Sequence, residues 1–64
     1  MNQIIVVIHV KKAHDGYVST ALDDAGMVLA EWYHPHKGES ISRTKYSVFE
    51  RLRTNLVMFK VEDK

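Results

Sequence analysis

Cysteine is absent from this 64-residue sequence, which excludes a disulfide framework and any thiolate metal site and makes a reducing, cytoplasmic setting the expectation. No apolar run is long enough to span a bilayer. The segment from Ile4 to Val10 is too short and follows Asn2 and Gln3, where a signal peptide would carry positive charge. The chain is therefore expected to be unprocessed, with no membrane among its partners. Neither sign of charge dominates: nine Lys and Arg face eight Asp and Glu, for a net charge of +1. Such a balance produces neither the field of a protein that binds nucleic acid mainly through phosphates nor that of an acidic DNA mimic. Glycine is scarce, and the glycines at 16, 26 and 38 are isolated, so there is no glycine-rich phosphate loop. Linkers, repeats and low-complexity stretches are missing as well.

What remains is a chain sized for one domain, residues 1–64. A domain this small buries only about 60% of the surface its unfolded chain exposes, so its stability is a few kcal/mol and association adds to it. The opening run Ile4-Ile5-Val6-Val7-Ile8 is apolar on both strand faces. A half-exposed strand alternates, so this pattern predicts a central strand with both faces covered.

Ile4 to Lys11 is read as a first strand, with Ile4, Val6, Ile8 and Val10 on one face and Ile5, Val7 and His9 on the other. Ala13-His14-Asp15-Gly16 supplies an Asp-Gly hairpin signal, and Tyr17 to Leu22 a second strand. Asp23-Asp24-Ala25-Gly26 is a hairpin loop leading into a third strand, Met27 to His34, which Pro35 ends. Lys37-Gly38-Glu39 continues as loop. From about Ser42 to Thr54 the spacing turns helical, with Ile41, Val48, Phe49 and Leu52 in one arc; Ser40 or Ser42 is the expected N-cap and Asn55 the expected stop. Ser47 and Glu50 also match a capping box, which leaves open a shorter helix. Leu56 to Val61 is a fourth strand, followed by a loose tail, Glu62-Asp63-Lys64.

The expected fold is α+β: a small, mostly antiparallel four-stranded sheet, βββαβ, with order 3-2-1-4 favoured because it makes the most apolar strand central, and one helix on one face. A single helix covers a single face, so part of Ile5, Val7, Val57, Phe59 and Val61, or their opposites, should stay exposed. In topology only, the element order is similar to the opening of the ribonuclease H-like fold. Those nucleases hold metal ions with carboxylates on the central strand, where this sequence offers His9.

Side chains that could carry chemistry are few. His34-Pro35-His36 places two imidazoles together, but a zinc site needs a third ligand and no Cys, Asp or Glu stands beside them at a recognised spacing. The pair is read as a polar strand exit, and no metal or other cofactor is expected. His9 is read as a half-buried histidine with a hydrogen-bond partner, and Asp23-Asp24 as turn residues. Arg43, Lys45, Arg51 and Arg53 surround Tyr46, yet at about 100° per residue these cations point in different directions.

The residue types instead favour binding. Trp32, Tyr33, Tyr46 and Arg53 are those enriched at protein–protein hot spots, and Trp32 and Tyr33, as strand neighbours, face opposite sides. The sequence is therefore read as a small non-catalytic interaction protein that binds another protein, with Trp32, Tyr33 and Tyr46 as anchors and Lys45 and Arg53 at the rim. A chain of this size fits a phage or mobile-element accessory protein that inhibits or redirects a host protein, and a homodimer is one form of it. The alternative is a nucleic-acid-binding module using Tyr17, Trp32 and Tyr33 on the sheet and the helix cations.

Overall fold

The computed structural model describes residues 3–63. Three consecutive strands, β1 (Ile4–Ala13), β2 (Gly16–Leu22) and β3 (Val28–His34), lead into helix α1 (Lys37–Leu52) and a last strand, β4 (Val57–Asp63). One sheet results, in the order β3-β2-β1-β4, with β1 antiparallel to β2, β2 antiparallel to β3, and β1 parallel to β4. The expected α+β architecture and strand order are thus what the chain adopts. A parallel return needs a long crossover, and α1 supplies it.

Beneath α1, Val6, Ile8 and Val10 of β1 meet Ala21 of β2 and Val48 of the helix, and all five are buried. Tyr17, Leu29, Ala30, Ile41, Leu52, Val57 and Phe59 close around this core. Phe49 and Phe59 meet edge to face, with centroids 5.4 Å apart.

The helix differs from its predicted extent. It starts at Lys37 with His36 as N-cap, directly after Pro35, so Lys37-Gly38-Glu39 forms its first turn and Ser40, Ser42 and Ser47 lie inside it. Its inner stripe runs Ser40, Thr44, Val48, one residue per turn, and two of the three are polar. Hydroxyls suit this seam because they are small and answer strand carbonyls. Ser40 Oγ lies 3.0 Å from the Trp32 carbonyl and 3.1 Å from that of Tyr17, and Thr44 Oγ1 donates to the Ser19 carbonyl at 3.1 Å. Ser40 has one proton, spent on a carbonyl, so Ser19 Oγ, 2.7 Å away, donates to it. An apolar-arc reading cannot see such a stripe.

The stop also moves. Arg53, not Asn55, takes the left-handed conformation (φ 55°, ψ 41°), and its N–H donates to the Phe49 carbonyl at 2.8 Å. The tail is ordered into the sheet as far as it is described: Glu62 and Asp63 pair with His9 and Val10, and Lys37 Nζ donates to Asp63 Oδ2 at 2.9 Å. Lys64 lies outside the described residues.

In the first hairpin Ala13 pairs with Gly16, leaving His14 and Asp15 as the turn. Gly16 is required for space rather than for a positive φ. A Cβ there would sit 2.7 Å from Tyr33 Cε2 and 2.8 Å from the His34 carbonyl oxygen. In the second loop Asp23 Oδ1 accepts from the N–H groups of Ala25 and Met27, both at 2.9 Å, and Gly26 takes φ 83°. Both acidic residues of that loop therefore belong to a turn, with Asp23 as its organiser. Among the described residues no helix is long and apolar enough to cross a membrane.

Candidate functional site

Because side chains alternate along strands, each pairing register assigns a face. On the face away from α1, Met58 of β4 pairs with Ile5 of β1. Val7, two residues along on the same face, pairs with Leu22 of β2, which pairs with Val28 of β3. An apolar band, Met58-Ile5-Val7-Leu22-Val28, thus crosses all four strands with no helix over it. Three of its members are open: Ile5 is 54% exposed, Val28 54% and Met58 51%.

Beyond this band the bare face is mixed: Val18 stands between Lys11 and Tyr33, and several polar side chains meet one another. Thr20 Oγ1 donates to Glu31 Oε2 at 2.6 Å. Glu62 lies 3.6 Å from both Lys60 Nζ and His9 Nδ1, and the His9 nitrogen, although buried, has no hydrogen-bond partner. At the far end the Tyr33 hydroxyl donates to Asp15 Oδ1 at 2.5 Å while its ring lies over Gly16. The hydrogen bond to Asp15 raises the Tyr33 pKa above its ordinary value; burial and the nearby negative charge add to it.

The five residues singled out from the sequence fall in four places. Trp32 and Tyr46 are brought together: they line one open groove of about 460 Å³ between β3 and α1, shared with Glu31, Glu50 and Arg51. There the Tyr46 pKa is raised, first by a hydrogen bond to Glu50 and then by its charge. Tyr33 stands on the opposite face. Lys45 lies on the other flank of the helix, with Nζ 5.4 Å from the centre of the Phe59 ring. Arg53 ends the helix. No shared surface unites all of them. Strand alternation alone placed Ile5 and Val7 on a common face, whereas Met58, Leu22 and Val28 join them through registers that a single strand does not reveal.

The histidine pair is a local arrangement. The rings of His34 and His36 are 5.6 Å apart, and His34 Nδ1 accepts from the His36 backbone N–H at 3.0 Å. Among the described residues no group of three or more His, Cys, Asp or Glu is placed to hold a metal ion. Comparison with protein families, curated proteins and solved structures returns no match.

Proposed function

We propose that the chain works by binding another protein, and that the bare sheet face is where it does so. The observation that carries this reading is the apolar band from Met58 to Val28, which is continuous across four strands and open to water. Exposed apolar patches of this kind mark interaction surfaces. A standard interface takes about 800 Å² from each side, and the band with the neighbouring Met27, itself 64% exposed, offers an apolar centre for one. Charged residues on the same face, Lys60, Glu62, Glu31 and Lys11, supply the polar rim such interfaces have. Blocking or redirecting the bound protein would need no catalytic group on this chain, only occupancy. The groove holding Trp32 and Tyr46 is a separate recess, between α1 and the β3 edge.

Affinity capture from the native source tests this reading, with wild type and Ile5→Glu side by side and a nuclease-treated arm. The expected result is a protein recovered by wild type, retained after nuclease and at high salt, and lost with Ile5→Glu. Recovery abolished by nuclease would point instead to nucleic acid, for which this face offers one aromatic, Tyr33, since Tyr17 and Trp32 side with the helix.

A further inference from the structure

The two edges of the sheet are built differently. β3 is interrupted: its register slips between Ala21 and Leu22, with Leu29 as the extra residue, and Pro35 follows its last residue. Bulges and prolines are how edge strands avoid pairing with other chains. β4 has an unbroken register with β1 from Val57 to Asp63 and contains no proline. Its outward backbone groups can be identified. Ile4, paired with Val57, donates its N–H to the Leu56 carbonyl at 2.9 Å, so Leu56, Met58, Lys60 and Glu62 direct their backbone groups to β1. Val57, Phe59, Val61 and Asp63 therefore direct theirs outward. On its helix side, β4 also lies at the margin of α1, where Val61 is 42% exposed.

We propose that β4 pairs antiparallel with β4 of a second copy, Val61 opposite Val61, so that two four-stranded sheets become one continuous sheet with both helices on the same side. The charges choose this register. A pairing centred on Lys60 opposes two lysines, and one centred on Glu62 opposes two glutamates. Centring on Phe59 sets Lys60 against Met58 and forms no ion pair. Only the Val61-centred register sets Lys60 of each copy opposite Glu62 of the other, twice, at positions that do not share backbone hydrogen bonds and so bring side chains closest. Val61 and the Phe59–Asp63 pairs then fall on the outward backbone groups, as an antiparallel ladder requires. Asp63 meets Phe59 with its carboxylate already held by Lys37, and the Lys45 that sits over Phe59 is carried toward that same carboxylate. The arrangement is two-fold and closes on itself, while the interrupted β3 edges do not extend it.

This goes beyond binding by the bare face and is tested separately. The cysteine-free background allows Val61→Cys to be oxidised alone: opposed residues of a hydrogen-bonded pair have Cα atoms about 5.5 Å apart, within disulfide reach. Val61→Cys should give a covalent dimer under mild oxidation and Phe59→Cys should not. In sedimentation, wild type should pass from monomer to dimer with concentration, Lys60→Glu should weaken the dimer by about tenfold or more, and the exchange Lys60→Glu with Glu62→Lys should restore it. Circular dichroism checks that each variant folds. Ile5→Glu should leave this dimer intact. A wild type that stays monomeric, preferential cross-linking of Phe59→Cys, or failure of the exchanged variant to recover would overturn the proposal.

Discussion

Both faces of β1 carry isoleucine and valine, and the fold treats them unequally. Val6, Ile8 and Val10 lie under α1 at 0 to 3% exposure, while Ile5 on the other face is 54% exposed and Val7 is only half-buried. Residue type alone does not account for the difference between Val6 or Ile8 and Ile5 or Val7, since isoleucine and valine stand on both faces. It arises because one sixteen-residue helix can shield one side of a four-stranded layer. Apolarity beyond what the fold itself uses is then left at the surface, which is the physical basis of the proposed binding.

Substitutions on the two faces turn that contrast into measurements. The largest effect is expected under the helix: Ile8→Ala should cost about 2–5 kcal/mol in urea unfolding, enough to unfold a domain this small. Next comes Gly16, the one buried residue of the bare face among those described. Gly16→Ala should cost about 1–3 kcal/mol, because the new methyl meets a backbone oxygen that cannot swing away. Ile5→Thr and Met58→Gln should each change unfolding by no more than about 0.5 kcal/mol while weakening the proposed partner contact. A loss like that of Ile8→Ala would mean the bare face is core after all. The smallest effect is in pH. Tyr33 has its pKa raised by Asp15, so the stability it gives is present below the ordinary tyrosine value and fades as pH rises through the folded one. Asp15→Asn should shift the Tyr33 ultraviolet titration to lower pH and remove that dependence.

Much of this was legible in the sequence. Two-residue alternation assigned both faces of β1, the Asp-Gly and Asp-Asp-Ala-Gly segments marked the hairpins, and the apolar character of the first strand put it at the centre of the order. The helix start was hidden because Ser40 and Thr44 look like surface residues until the carbonyls of Tyr17, Ser19 and Trp32 are placed against them. Asp63 looked like loose tail because what holds it, the β1 register and Lys37, is distant in sequence. The same limit applies to binding surfaces. Residue type picked out Trp32 and Tyr46 but could not show that a helix and an edge strand turn them into one groove. Nor could it show that the hydroxyl of Tyr33 is engaged by a turn eighteen residues earlier.

The left-handed residue at the end of the helix has a consequence for how the chain could vary. Between Arg53 and Val57 the backbone must turn from the helix axis into a strand running alongside β1. Lengthening α1 by one residue would swing that exit by about 100° and aim the returning segment away from its slot. The helix thus acts as a phase setting for the fold, and additions should be far better accepted at the tip formed by His14 and Asp15 than anywhere between Lys37 and Arg53.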